Sequence, residues 1–498
     1  MEIPAFVWMI LIPVLASPLI YLSGHLTARR GQSFAQVTAL VAMLAAWVPF
    51  VQAARQIGQT GSDSFTMGSI SLCMDGISLL LAAVALALGT LVVIFSGPYM
   101  AAEFGQEKFY AMLVAMVGVM VGLGCACDLF NLWIWFEAMA VTSYLLVAFY
   151  HEQPPSLEAG IKYLVQSAAG SVLVLLGISI VLAQTGSVNL AEIKAATGAS
   201  TTAMLAAGAL FAIGFGVKAA LVPMHTWLPD AHSQAPSGIS AMLSGIVIEA
   251  GLVAMLRSLS SLSAVSDLWG PILMGFGCLN MLLGNLMAFQ QKHVKRLLAY
   301  SSLTHVGYML VGIGVAIYFG QVNGAQGGLF HLINHGLMKG LAFLAAGSLL
   351  FTLHIAVGEH SALTISDLSG AARRYPVVAL TFSLALLGLG GIPPLAGFMS
   401  KWQIFLSGFQ TQNLAVGLVV IFAALNSVFS LAYYAPLINN IYRHEQSDAV
   451  RLGSKLPAVI NLPLIGMAVA VVVIGIWPSI MNWLTYPAGA ALLAAFGK

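Results

Sequence analysis

The chain has 498 residues, of which 59% are hydrophobic and only 7% charged, with a formal net charge of +2 and a mean hydropathy of +0.93. Soluble domains carry about 25% charged residues, so these proportions exclude a water-soluble globular protein; no basic cluster alternates with exposed aromatics, which speaks against a nucleic-acid partner. Apolar stretches of about 20 residues, the length that crosses a bilayer, recur from Ile3 to Lys498 with no polar segment large enough to fold apart, so residues 1–498 read as one polytopic membrane domain.

In chain order, hydropathy marks about fourteen spans: near 3–23, 33–54, 77–97, 110–127, 129–149, 160–183, 203–222, 237–257, 268–289, 298–319, 327–352, 376–406, 412–441 and 457–480. The first opens on an acid, Glu2, and lacks a small-residue cleavage site, so it is expected to stay as a spanning helix rather than act as a removed signal. Of the four cysteines, only Cys125 and Cys127 are close in sequence, inside an apolar stretch with no second pair to complete a zinc or iron-sulfur set. All four are expected to be small buried hydrophobes.

Short loops rich in Lys and Arg stay on the cytoplasmic side. Loops after odd-numbered spans hold eleven basic residues, Arg29, Arg30, Lys292 and Lys295 among them, whereas the other side holds four, Arg55, Lys194, Arg257 and Lys498. Both termini are therefore expected on the outer side. Lys162, near a helix end, is expected to snorkel to the interface.

Two spans are interrupted. In GFGVKAALVPMHTWLPDAH, Pro223 and Pro229 each remove a backbone donor, so the seventh helix should break just after Lys218. In LGLGGIPPLAGFMSKW, Gly390, Gly391, Pro393 and Pro394 should break the twelfth just before Lys401. Unwound backbone at membrane depth is tolerated only where it is buried in protein or lines a cavity, and paired breaks point to a repeat-built transporter. The spacing fits two inverted five-helix units, spans 4–8 (about 110–257) and 9–13 (about 268–441). Pro and Gly that merely kink packed helices are the plainer alternative.

Lys218, Lys339, Lys401 and Glu137 lie deep within apolar spans. Ionisable groups there cost about 2.5–3.5 kcal/mol each on the insertion scale and are expected to face a bundle interior and to move ions. In FHLINHGLMKGLAF, His331, His335 and Lys339 follow at i, i+4 and i+8, on one helix face about 6 Å apart per step. Imidazoles titrate near neutrality, so such a ladder suits proton transfer. The same pair of histidines also suits half of a metal site or an axial haem ligand. Glu137, among Trp133, Trp135 and Phe136, needs a partner, and Lys218 is the natural one; a proton-loading pair and a structural salt bridge fit equally. Glu249 is placed mid-span to bridge Lys218 and the ladder, and His305, flanked by Ser301, Ser302 and Thr304, extends the polar file. Either also reads as a satisfied core group. His225 and His232, near the first break, stay ambiguous.

These segments together resemble the antiporter-like, proton-conducting membrane subunits shared by respiratory complex I, Mrp-type sodium/proton antiporters and energy-converting hydrogenases. The resemblance covers nearly the whole chain through MDGISLLL, DLFNLWIWFE, VKAALVPMHTWLPDAHSQAPS, KRLLAYSSLTHVGYM, HLINHGLMKGLAF and GGIPPLAGFMSKW, in that order. It implies an all-α fold of fourteen transmembrane helices, two inverted five-helix repeats, broken helices 7 and 12, and a polar axis at the bilayer midplane. It places Glu137 and Lys218 as an input pair, Lys339 with His331 and His335 as a central relay, and Lys401 as the terminal residue. Several members carry a Lys in the eighth span where this chain has Glu249, which reverses the central charge.

The resulting expectation is a non-catalytic, proton-translocating subunit of a membrane oxidoreductase complex of complex I or hydrogenase type. Other membrane subunits and redox subunits would be its partners, it would hold no cofactor itself, and it would lie in a bacterial-type inner (plasma) membrane. The alternatives are an Mrp-type sodium/proton antiporter subunit, a stand-alone secondary transporter for sodium or a solute, and a haem-binding redox subunit.

Overall fold

The computed structural model describes residues 3–28, 34–68, 70–357 and 361–498. Glu2, Arg29 and Arg30 lie outside the described residues. Helices α1 (Ala5–Ala28) and α2 (Ala35–Thr60) lead to a hairpin of β1 (Asp63–Met67) and β2 (Ile70–Met74). Next come α3 (Gly76–Tyr99), α4 (Gln106–Gly124), α5 (Leu129–Val147), α6 (Pro154–Thr185) and the short α7 (Leu190–Ala195). The first interrupted span is α8 (Thr201–Lys218) followed by α9 (Trp227–Gln234). The eighth span consists of α10 (Ser237–Met242), a π-helical turn (Leu243–Val247) and α11 (Ile248–Ser261). Beyond it lie α12 (Trp269–Phe289), α13 (Val294–Phe319), α14 (Val322–Leu353), α15 (Pro376–Gly390), α16 (Ala396–Gln410) and α17 (Leu414–Ile441). The chain closes with α18 (Asp448–Leu452), α19 (Ala458–Ile476) and α20 (Asn482–Ala495). Among the described residues, thirteen helices are long and apolar enough to cross a membrane. The remaining expected span is divided into α15 and α16, 15 residues each.

Local chemistry sets these boundaries. Asp75 begins α3 with a capping box, accepting from Ser78 N, and Asp128 begins α5 by accepting from Asn131 N at 2.6 Å. Pro154 and Pro155 occupy the first turn of α6, where no donor is needed, and Gly186 ends it at φ 71°. The hairpin and α20 carried no strong hydropathy signal. α20 is apolar but only 14 residues long, and it packs against α3 and α14.

Both helix breaks are real, and both are satisfied by side chains. Past α8, Val222 N donates to Asn280 Oδ1 at 2.8 Å, and Asn280 Nδ2 donates to Ala220 O at 3.2 Å, so one asparagine of α12 replaces two lost helical bonds. Past α15, the chain turns at Gly391, φ 80°, and Ser427 Oγ of α17 donates to Gly390 O at 3.3 Å. Such accounting is obligatory where water is scarce.

One expectation is corrected. Cys73, in β2, and Cys127, between α4 and α5, form a disulfide with a Cα–Cα distance of 5.7 Å, within the range a bridge requires. The two lie 54 residues apart, and Cys127 falls past the helix end, so the C-x-C spacing was the wrong signal. Cys125 and Cys278 are free. At the same end of the bundle, Arg257 of α11 donates to both carboxylate oxygens of Asp75, at 2.9 and 3.2 Å. Lys162 reaches outward near the start of α6, as expected, and there bonds Glu158 at 2.7 Å and Asp230 of α9 at 3.1 Å, while Arg296 holds the other oxygen of Asp230 at 2.6 Å.

Paired glycines bring the helices of the interior together. A Cβ at Gly277 of α12 would lie 2.8 Å from Gly307 O of α13, and one at Gly307 would lie 2.6 Å from Gly277 O. Small residues of this kind let membrane helices approach backbone to backbone. Gly307→Ala should therefore cost about 1–3 kcal/mol by overpacking, seen as a lower midpoint of thermal unfolding in detergent. Gly275→Ala on the same α12, whose Cβ meets nothing within 4 Å, should not lower the midpoint and should raise it slightly through helix propensity.

Candidate functional site

The titratable groups expected to act together are withdrawn from the surface. Lys218, Glu249, His305, His331, His335, Lys339 and Lys401 are all buried, and Glu137 is half-buried. Because burying an isolated polar group costs about 1–3 kcal/mol or more, the partner of each defines what it can do.

Lys401 lies in the second turn of α16. Its Nζ donates to Leu389 O at 2.8 Å, a carbonyl that the break frees at the end of α15, and to Ser427 Oγ at 2.8 Å, and it stands 4.6 Å from the centre of the Tyr308 ring. A helix C-terminus favours a cation. Next to it on α16, Ser400 Oγ lies 2.8 Å from His331 Nδ1, and His331 Nε2 lies 3.0 Å from Nδ1 of His305 on α13. With one proton per ring this segment has two consistent settings. Either His305 donates to His331, His331 to Ser400, and Ser400 to the carbonyls of Ala396 and Gly397, or Ser400 donates to His331 and His331 to His305. Conversion between the two moves a proton's worth of charge along the file.

The expected ladder along α14 is not a direct one. The rings of His331 and His335 are 6.5 Å apart and unbonded, and the His305 ring stands between them, 5.2 Å from one and 5.0 Å from the other. His335 turns instead to Glu249, with Nδ1 to Oε1 at 2.7 Å. The acid in the eighth span is thus the partner of an imidazole; Glu249 Oε2 and His335 Nε2 have no protein partner. The π turn just before α11 supports this pairing. Gly245 within it packs against Gly336 of α14, where a Cβ would lie 3.0 Å from Gly336 O, and Ser244 bonds Ser302 of α13 at 2.6 Å. π turns recur at functional sites because they re-aim side chains.

Lys339, one turn beyond His335, donates to Leu298 O at 2.7 Å and to Ser301 Oγ. His232 stacks on Phe343 of α14 at 4.7 Å, and neither of its ring nitrogens has a protein partner. Lys295, buried at the start of α13, donates to Ala235 O at 2.6 Å.

Glu137 and Lys218 do not form a contact pair. Lys218 Nζ has no hydrogen-bond partner and stands 4.2 Å from the centre of the Tyr163 ring and 6.0 Å from that of Trp227; Glu137 Oε1 is likewise unbonded. A desolvated cation–π contact is worth about 2 kcal/mol. Glu137 lies on a face of α5 whose neighbours Phe130, Ile134, Val141 and Leu145 are exposed, so it marks the edge of the file rather than its interior.

Ser400, Ser427, Tyr308, Tyr163 and Trp227 were not singled out by the sequence. Ser400 had a faint signal, a hydroxyl beside a buried Lys; the aromatic rings had none, since Tyr and Trp are ordinary core residues. Among the described residues no group of three or more His, Cys, Asp and Glu side chains is arranged to hold a metal ion. The histidines of α14 are instead bonded to a carboxylate, a hydroxyl and another imidazole.

Residues 126–430 match the family described as NADH:quinone oxidoreductase/Mrp antiporter, TM. Subunit N of the NADH-quinone oxidoreductase of Desulfitobacterium hafniense is 31% identical over 430 residues, covering 82% of this chain and 83% of that protein. A chain of the membrane-bound sulfane sulfur reductase, an archaeal respiratory membrane complex, superposes with a TM-score of 0.85 at 28% identity over 97% of both chains. A chain of the Mrp complex of Dietzia sp. superposes with a TM-score of 0.85 over 99% of both, and at 20% identity this shows a shared fold. The protein therefore belongs to the NADH:quinone oxidoreductase/Mrp antiporter transmembrane family, as an antiporter-like integral membrane subunit.

Proposed function

We propose that the buried file carries protons, with Lys218 as the loading group, Glu137 as its modulator, Glu249, His335, His305, His331 and Lys339 as the relay, and Lys401 as the hand-over group. The observation that carries this reading is the bonded run from His305 through His331 to Ser400, adjoining Lys401, because it can reverse its polarity without moving a heavy atom far. Where the run is interrupted, at Lys218 Nζ, Glu249 Oε2 and His335 Nε2, water is the natural bridge, since each atom is polar, buried and free of protein partners. The chain supplies the path, and redox subunits of its assembly supply the driving step. Glu137, on an exposed apolar face, requires a neighbouring membrane subunit to cover it, because lipid there would cost about 2.5–3.5 kcal/mol.

The charges at the two ends of the bundle support an orientation. The end holding Lys292, Lys295, Arg373, Arg374 and Arg451 is the cytoplasmic one by the positive-inside rule, which places both chain termini and the Cys73–Cys127 bridge outside, where disulfides persist. A bacterial-type inner membrane provides that arrangement. Spans 4–8 and 9–13 are read as two inverted five-helix units, each containing one satisfied break and one buried Lys beside it.

Lys218→Ala in the intact assembly should reduce proton translocation at least about tenfold, measured as a pH gradient in vesicles against partner turnover. Full translocation at normal turnover would refute the loading role. Glu249→Gln keeps an acceptor for His335 Nδ1, so assembly should be preserved while coupled translocation falls; a variant that pumps normally would take Glu249 out of the path. Cys73→Ser, in a Cys278→Ser background, frees the thiol of Cys127. A membrane-impermeant maleimide should label it from the outer side of intact cells, and labelling only after the membrane is opened would reverse the assigned orientation.

A further inference from the structure

The seat of Lys218 is built with more care than a core position requires. Tyr163 of α6 and Trp227 of α9 stack with centroids 3.9 Å apart and planes 2° from parallel, and the ammonium stands 4.2 Å from the Tyr163 centroid and 6.0 Å from that of Trp227, obliquely above the rim of the tyrosine ring. Trp227 is pinned from both directions: its Nε1 donates to Val217 O at 2.8 Å, the carbonyl just before Lys218, and its backbone N donates to Gln166 Oε1 of α6 at 3.1 Å. The ring pair therefore bridges the break, tied to α8, to α9 and to α6 at once. Behind the lysine stem, Gly251 of α11 packs so closely that a Cβ there would lie 2.9 Å from Lys218 Cβ, which fixes where the stem begins.

We propose that Tyr163, backed by Trp227, is the resting seat of the protonated Lys218, and that its ammonium moves between this ring face and the carboxylate of Glu137 during transport. Tyr163 acts as a positioning residue; this rests on Lys218 carrying the transported proton. The two partners differ in kind. A ring face attracts the ammonium through its quadrupole and has no lone pair able to take the proton, whereas a carboxylate adds a full countercharge and a proton acceptor. The ring holds the proton on the lysine while Glu137 is away, and the return of Glu137 resets the balance. The groups that face Lys218 are few: Glu137 from α5, which acts on it electrostatically, Tyr163 from α6 and Trp227 from α9. From α11, Gly251 packs against its stem, while the acid of that helix, Glu249, is bonded to His335.

Replacement of Tyr163 by phenylalanine and its mono-, di- and trifluorinated analogues tests this without altering shape, since each fluorine weakens the ring's negative face. The intact assembly in vesicles would be assayed for proton translocation against pH. Phenylalanine should retain the wild-type profile. The alkaline limb should then move to lower pH with each fluorine, by about one pH unit over the series, because an ammonium without its seat gives up its proton more readily. A limb that stays in place across the fluorinated series would overturn the seat. Lys218→Ala, run alongside, separates the two readings: if it abolishes translocation while the fluorine series is flat, the loading role stands and the seat falls. If Lys218→Ala translocates normally, the loading role falls and the seat with it.

Discussion

Four buried lysines are held here chiefly by neutral partners, Lys295 by the carbonyl of Ala235 and three deeper in the bundle. Lys401 rests on a freed helix carbonyl and a serine, Lys339 on a carbonyl and a serine, and Lys218 on an aromatic face. A carboxylate in contact with each would bind it more strongly, and would also lock the proton in place, since breaking a buried ion pair costs about 3–5 kcal/mol. Dipoles and ring quadrupoles compensate burial only in part, which leaves release within reach of a modest change in surroundings. Of the two acids in the file, one is spent on His335 and the other stands at the edge of the bundle.

The helix breaks follow from this need. Within a continuous helix a carbonyl can serve a lysine only by sharing, as Leu298 O of α13 does with Lys339, whereas ending α15 at Gly390 releases Leu389 O from its helical bond for Lys401. Ending α8 at Lys218 lets α9 start afresh with Trp227, which then reaches back to Val217. The π turn in the eighth span does comparable work. A wider turn inserts one residue and so rotates all that follows by roughly 100°, and Glu249 is the second residue after it. Glycines at Gly245 and Gly336 then let the two backbones approach close enough for Glu249 to meet His335.

Much of this was legible in the chain because charge at membrane depth is rare and expensive. Lys218, Glu249, Lys339 and Lys401 stood out on that ground alone, and proline and glycine marked both breaks with correct positions. The span boundaries fell within a few residues of the helices for the same reason, since apolar length is dictated by the bilayer. The partners were less legible. His305 crosses between His331 and His335 through the packing of α13 on α14, which a pattern along α14 alone cannot express. Ser400, Tyr308 and Tyr163 belong to residue types found in any core, and their role comes only from what they touch. The Cys73–Cys127 bridge joins two loops whose proximity depends on how α2 to α5 pack.

The interruptions in the file bear on its function as much as the bonds do. His305 stacks on His335 without a hydrogen bond, and Lys218 touches neither Glu137 nor Glu249 through a polar atom. A file bonded from end to end would let protons equilibrate freely along it, and a driving step could then do no work on them. Separate bonded segments, Glu249 with His335 and His305 through His331 to Ser400, can each hold a setting until a neighbour shifts. Because the interfaces between them are close glycine contacts with little slack, a displacement of α14 against α13 or α10 by a fraction of an ångström changes which atoms meet. On the proposed reading, coupling in such a chain resides in the gaps, where dense packing lets a small push at one end count at the other.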